Sequence, residues 1–211
     1  MHADEWCAVA HVDISPRTSL EDGVELLLEL AAGAVSTTGV LDYAVLRQPV
    51  RQNHFELVGR FATEAAYLAH LGSPCNVAFR AAIAPMLGSP YEDRLHGGRG
   101  PQRFPLAAAG AFVIVTQLEV QPVHLTVAER ALEGLVEAQA AAEGLGGQVL
   151  LARRGRPNNL ELLSVWAGEE AFDAHLAAEA YTEARAVLTP MLVAPVDDRR
   201  HHLLAGALRA P

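Results

Sequence analysis

The sequence predicts an α+β fold built twice: two split βαββαβ modules whose four-stranded antiparallel sheets pack face to face within one chain. Three observations carry this. First, residues 53–98 and 158–203, laid over each other without a gap at an offset of 105, match at 18 of 46 positions. Second, each copy runs through strand and helix periodicities in the order strand, helix, strand, strand, helix, strand. Third, the strand around Phe55 and its counterpart around Leu160 are strongly apolar on one face and carry Val58, Leu163 and Val165 among Glu56, Arg60 and Glu161 on the other, so helices on one side leave a largely bare sheet face to be covered. The period is too long for a solenoid unit, and the copies read as domains at 1–100 and 101–211.

In the first copy, Trp6 to Ile14 reads as a strand because Ala8, Ala10, Val12 and Ile14 alternate with Cys7, Val9, His11 and Asp13. A helix is expected from Ser19, whose hydroxyl can cap a first turn containing Asp22, with Leu20, Val24, Leu27, Leu28 and Ala31 as its apolar stripe. Val40–Arg47 and His54–Phe61 read as strands around a turn holding Pro49 and Asn53. The next helix starts at Glu64. Gly72-Ser73-Pro74 interrupts it, since Pro is accepted in a first turn but not in a helix interior, and a Ser73 cap restarts it to about Leu87. Tyr91–His96 is the last strand.

The second copy repeats the order. A strand is expected at Phe112–Val120, a helix from the capping box Thr126-x-x-Glu129, and strands at Gln148–Arg153 and Asn159–Trp166. A helix over Glu169–Leu192 follows, uninterrupted by glycine or proline until Pro190, and then a strand at Val196–Leu203. Gly97-Gly98-Arg99-Gly100-Pro101 reads as the linker.

Composition narrows the function. With 51% hydrophobic residues, 19% charged residues and a net charge of −9, the chain is apolar-rich, and it lacks the clustered Lys and Arg that a nucleic-acid partner requires. The longest apolar run, Leu106 to Val115, is too short to span a bilayer, and Met1-His2-Ala3-Asp4-Glu5 is acidic where a signal peptide would be basic. Cys7 and Cys75 show no zinc or disulfide spacing. The expectation is a cytoplasmic protein with neither nucleic-acid nor membrane partners.

The run Glu161-Leu-Leu-Ser-Val-Trp166-Ala-Gly-Glu169-Glu-Ala-Phe-Asp-Ala-His175-Leu, with its first-copy version from Glu56 to Leu71, resembles the antibiotic biosynthesis monooxygenase (ABM) family of the dimeric α/β barrel superfamily. Members usually carry one ferredoxin-like domain and pair as homodimers. The resemblance therefore implies an intrachain dimeric α/β barrel, a pseudo-dimer open to further homodimer formation. It also implies cofactor-independent monooxygenation of an aromatic small molecule of quinol or anthrone type. The alternative is a non-catalytic small-molecule-binding or stress-associated barrel.

Family branches map onto the copies unevenly. Of the anthrone branch's residues, Trp166 matches the Trp, with Phe61 in the other copy, and Tyr67 matches the Tyr, with Phe172 in the other copy. Arg80 and Arg185 match its Arg, and its Asn is Leu57 and Leu162. The heme-degrading branch needs an axial His where this chain has Arg80 and Arg185. Its Trp falls on His70 and His175, and its Asn on Ala10 or His11 and on Thr116 or Gln117, so heme is disfavoured and no cofactor is expected.

Read as residues, His70 and His175 are either bases for a phenolic or anthrone proton or structural links between helix and strand. Trp166 and Phe61 either stack an aromatic ligand or fill core, and Tyr67 and His11 join them as candidate pocket residues. Arg80 and Arg185 either stabilise an enolate or pair at the surface. Glu56 and Glu161 either orient a His or are solvated at a barrel rim. His96, His201 and His202 lie near Glu92, Asp93, Asp197 and Asp198, but strand alternation divides them between faces and no metal site is expected there.

Overall fold

A computed structural model describes residues 5–99 and 110–207. The first half holds β1 (Trp6–Asp13), α1 (Leu20–Ala34), β2 (Val40–Arg47), β3 (His54–Phe61), α2 (Glu64–Leu71), α3 (Pro74–Ile83) and β4 (Asp93–Gly98). The second holds β5 (Phe112–Glu119), α4 (Leu125–Ala138), β6 (Leu145–Arg153), β7 (Arg156–Trp166), α5 (Glu169–Leu176), α6 (Glu179–Leu188) and β8 (Asp197–Ala207). The element order is the expected one in both halves.

The eight strands close into an antiparallel barrel in the order β1-β3-β2-β8-β5-β7-β6-β4. Each half contributes four consecutive staves. The last strand of each half then hydrogen-bonds to the other half: β4 to β6 over His96–Gly98 and Leu151–Arg153, and β8 to β2 over His202–Ala207 and Tyr43–Arg47. The bare faces are thus buried by edge-to-edge closure, which also removes every free strand edge.

Alternation along each strand sorts side chains into lumen and outer layer. In β1, Cys7 and Val9 point into a lumen core with Val58, Val113, Val115 and Leu163, while Ala8, Ala10 and Val12 lie under α1 and α3 with Leu27, Phe55 and Phe79. Outside the second sheet, Leu132, Leu150, Leu160 and Leu188 do the same under α4 and α6. Each fully buried side chain of this size contributes about 1.5–3 kcal/mol. The lumen also holds a buried ion pair: the Arg60 Nε donates to Asp42 Oδ2 at 2.6 Å, with Glu5 at 3.7 Å from Arg60 Nη1. The matching second-half positions are Val165 and Gly147.

The repeated motif residues hold the halves in shape. Asn53 Nδ2 donates to the Ile14 carbonyl at 2.9 Å, and Asn158 Nδ2 to the Val120 carbonyl at 3.1 Å. Gly39 and Gly144 both adopt positive φ, 84° and 78°. A Cβ on either would lie 2.6 Å from the Cβ of Ala66 or Ala171, so these turns need glycine for conformation and for space.

Several expectations change. Ser19 and Ser73 cap their helices as expected, but Thr126 does not: a 3₁₀ turn at Pro122–His124 leads straight into α4, which starts at Leu125 with no side-chain cap. The helix expected over Glu169–Leu192 is broken like its counterpart, because Ala178 takes an extended conformation (φ −68°, ψ 145°) without any proline. Gly97 and Gly98 extend β4 instead of forming the linker, since closure gives their backbone partners in β6; Gly100 and Pro101 lie outside the described residues.

Candidate functional site

Each half has a small cavity between the outer face of its sheet and its helices. In the second half, alternation along β7 turns Leu162, Ser164 and Trp166 toward the helices. The i, i+3 and i, i+4 spacings of α5 and α6 present Phe172 with His175, and Tyr181 with Arg185, to the same space. The cavity measures about 20 Å³. Trp166 Nε1 donates to Ser164 Oγ at 2.8 Å, and the His175 ring lies 4.7 Å from both the Trp166 and the Tyr181 centroids. His175 Nδ1 accepts from Gln139 Nε2 at 2.6 Å, which puts the proton of the neutral ring on Nε2. Asp198 accepts from Thr116 Oγ1 at 2.6 Å.

Burial lowers the pKa of His175 to about 4, against a smaller opposing effect of Asp198, so the ring is neutral near pH 7. Burial and Asp198 together push the Tyr181 hydroxyl up to about 12. Arg185 lines the cavity with its Nη1 buried and without a hydrogen-bond partner.

The first-half cavity is about 10 Å³ and gathers Phe61, Tyr67 and His70, with Phe61 5.4 Å from both other rings. Its polar groups are tied to one another, except that His70 Nδ1 is buried without a hydrogen-bond partner. Arg80 Nε donates to Asn76 Oδ1 at 2.7 Å, which fixes the Asn76 amide so that its Nδ2 donates to His70 Nε2 at 2.9 Å. Arg80 Nη2, Tyr67 and Tyr91 all donate to Asp93, at 2.6, 3.0 and 2.9 Å. Burial lowers the His70 pKa despite Asp93.

The remaining candidates face the lumen, not these cavities. Glu56 accepts from Arg199 Nη1 at 2.9 Å and lies 3.5 Å from His11 Nδ1. Glu161 accepts from Gln117 at 3.2 Å and lies 3.5 Å from His96 Nε2. Burial opposes ionisation of both. For Glu56 the contacts with His11 and Arg199 outweigh it and hold the carboxyl below its ordinary range, whereas burial and the Glu56 charge push Glu161 up to about 8. The sequence-derived residues thus form three groups: Trp166, His175 and Arg185; Phe61, Tyr67 and His70, with Arg80 tied on through Asn76; and His11, Glu56 and Glu161.

Among the polar residues that escaped sequence reading, Tyr181, Ser164 and Gln148 line the cavity, and Gln139 reaches it only through its hydrogen bond to His175. Tyr181 stands where the first copy has Asn76, an offset comparison that could have flagged it. Gln139, at the C-cap of α4, matches Ala34 and gave no repeat signal. Ser164 matches Gly59 and reads as an ordinary strand residue.

Residues 111–187, the half containing the His175 cavity, match the family model described as antibiotic biosynthesis monooxygenase. Solved structures resemble the whole chain. A candidate monooxygenase from Fusobacterium nucleatum superposes with a TM-score of 0.82 at 16% identity, covering 100% of this chain and 97% of its own. Another from Lactobacillus acidophilus gives 0.79 at 12%, covering 99% of each chain. An anthrone oxidase-like protein gives 0.72 at 13%, covering 99% and 94%. At these identities the likeness establishes a shared full-length barrel. No curated protein matches the chain by sequence.

Proposed function

Starting from the antibiotic biosynthesis monooxygenase domain that the chain carries at residues 111–187, we propose that the protein is a monooxygenase-type enzyme acting in its second-half cavity. Its substrate in this reading is an electron-rich aromatic of quinol or anthrone type, and no cofactor takes part. The observation that carries the reading is Arg185, whose buried Nη1 has no partner in a cavity shared with His175 and Trp166. A buried donor without an acceptor costs about 1–3 kcal/mol, which a bound phenolate or enolate oxygen offsets.

His175 takes the acidic proton of the substrate at Nε2 once Gln139 turns its amide, so that the otherwise unpartnered Oε1 accepts from Nδ1–H. A base with a pKa of about 4 is weak, so the anion must be stabilised where it forms, and that is the role of Arg185. Trp166 offers its ring face to the aromatic. With an anthrone-type substrate, the carbanion adds to O₂ and the peroxide loses water. One oxygen atom remains as the new carbonyl, the other leaves as water, and the substrate supplies all four electrons. Substrate entry requires α5 and α6 to move outward, and the break at Ala177–Ala178 is the joint between them.

A second reading, a non-catalytic small-molecule-binding or stress-associated barrel, is favoured by the cavity volumes of about 20 and 10 Å³, roughly the room of one water each. Aerobic oxygen uptake with a panel of hydroquinones and anthrones separates the two. The enzyme reading expects uptake by the parent protein that falls at least about tenfold in His175→Ala and in Arg185→Ala. Uptake no higher in the parent than in His175→Ala would leave only the second reading.

A further inference from the structure

At one mouth of the lumen, apart from both helix-side cavities, His11, Asp13 and His54 each bring one ligand atom to within 4.8 Å of the others. β1 supplies His11 and Asp13, two residues apart and hence on the same face, and β3 places His54 directly opposite Asp13. His11 Nε2 lies 2.8 Å and His54 Nδ1 2.6 Å from the same oxygen, Asp13 Oδ1. That oxygen is buried, yet it accepts no hydrogen bond. Two imidazole nitrogens approach it at hydrogen-bonding distance without hydrogen-bond alignment.

Such an arrangement is expected when lone pairs converge on a common point instead of on one another. Nitrogen and oxygen ligands about 2.0–2.2 Å from a cation stand roughly 3 Å apart. The outer contacts suit that geometry. Asp13 Oδ2 accepts from Ser89 Oγ at 2.8 Å, leaving Oδ1 as the inward oxygen. His11 turns its other nitrogen, Nδ1, toward Glu56 Oε1 at 3.5 Å, and a carboxylate behind a ligating imidazole is the usual device for fixing its orientation. Of the nearby cations, Arg199 is compensated by Glu56 and Asp197 and Arg200 by Glu169 and Asp173, while Arg51 stands at the cleft wall.

We propose that His11 Nε2, Asp13 Oδ1 and His54 Nδ1 bind a divalent first-row transition ion of the zinc or iron class. Two imidazoles and one carboxylate are donors suited to such ions. The remaining coordination positions open onto a cleft of about 580 Å³ that the three ligands line together with Arg51 and Arg199. The matching second-half positions hold Gln117, Glu119 and Asn159, which lack imidazole, so one ion binds per chain. The site is independent of the monooxygenase reading.

Equilibrium dialysis of the untagged full-length chain against Co²⁺ tests this. One Co²⁺ per chain is expected, with visible d–d absorption that Zn²⁺ abolishes by displacement. His54→Ala and Asp13→Asn each weaken binding at least tenfold, with the circular dichroism of the metal-free protein unchanged. X-ray absorption of the Co²⁺-loaded parent shows two imidazole ligands, a readout that requires no variant to fold. The proposal is overturned if the parent takes up no stoichiometric Co²⁺, if His54→Ala binds it as tightly as the parent, or if the absorption spectrum contains no imidazole scattering.

Discussion

Arg80 places Nη2 2.6 Å from Asp93 Oδ2, and this single ion pair separates the chemistry of the two halves. Arg185, at the matching position, leaves Nη1 buried and unpaired beside His175.

The two arginines are therefore expected to respond oppositely to truncation. Arg80→Ala frees Asn76 and Asp93 and lowers stability by about 1–2 kcal/mol, discounted for the partial exposure of the side chain, with oxygen uptake unchanged. Arg185→Ala lowers uptake at least about tenfold and leaves stability close to that of the parent. Urea unfolding and an oxygen electrode read the two effects separately.

Arg60 and Asp42 form a buried pair in the lumen that the second half does without. Arg60→Val removes the cation between the buried Asp42 and Glu5 carboxylates and is expected to cost about 3–5 kcal/mol. Adding Asp42→Ala recovers most of that loss, because Val165 shows that this layer accepts an apolar residue. Denaturation midpoints of the single and double variants supply the comparison; equal midpoints would contradict it.

Gly144→Ala forces a methyl group against Ala171 in a backbone conformation that disfavours any Cβ. A loss of about 1–3 kcal/mol is expected, and a similar loss for Gly39→Ala against Ala66. Thermal unfolding of both variants checks this. Gly155, which has positive φ but open space around it, is the control and should lose less.

The pH dependence of stability follows from Glu161 on one side and His96, His175 and His201 on the other. Glu161 ionises at about 8 when folded against 4.5 in the reference state, so its stabilisation is full below pH 4.5 and lost as pH rises to 8. His96, His175 and His201, each held at about 4 by burial against 6.5, work the other way: their contributions are present above pH 6.5 and lost as pH falls to 4. The two slopes oppose each other between pH 4.5 and 6.5, and Glu161 acts alone above that. Melting temperature should fall between pH 6.5 and 8, by the equivalent of roughly 1–2 kcal/mol. Glu161→Gln should abolish the fall, and an unchanged fall in that variant would assign it to another group.

Strand positions were legible in the sequence because alternation is a local property. Val40–Arg47 and His54–Phe61 were read to the residue. What escaped depends on contacts between halves or on backbone geometry with no residue signature. Gly97 and Gly98 look like a linker until β6 supplies their partners. Ala178 breaks a helix that its composition would continue, in a half whose first-copy counterpart needed Ser73 and Pro74 to mark the same break. Thr126 offered a capping box, but Pro122 started the turn earlier. In the site, His175 could be named from the repeat, and Trp166 and Arg185 from the family resemblance. The difference between Arg80 and Arg185 could not, because it depends on Asn76 having become Tyr181.

Closure through β4–β6 and β8–β2 gathers lumen residues of both halves into one core, whereas each helix-side cavity is walled by its own half alone. A substitution in the lumen must be tolerated by two sets of strands at once. One in a cavity is answerable to a single set, so either cavity can acquire a new ligand while the other keeps the barrel standing. Joining the halves in one polypeptide thus frees half of the molecule for chemical experiment.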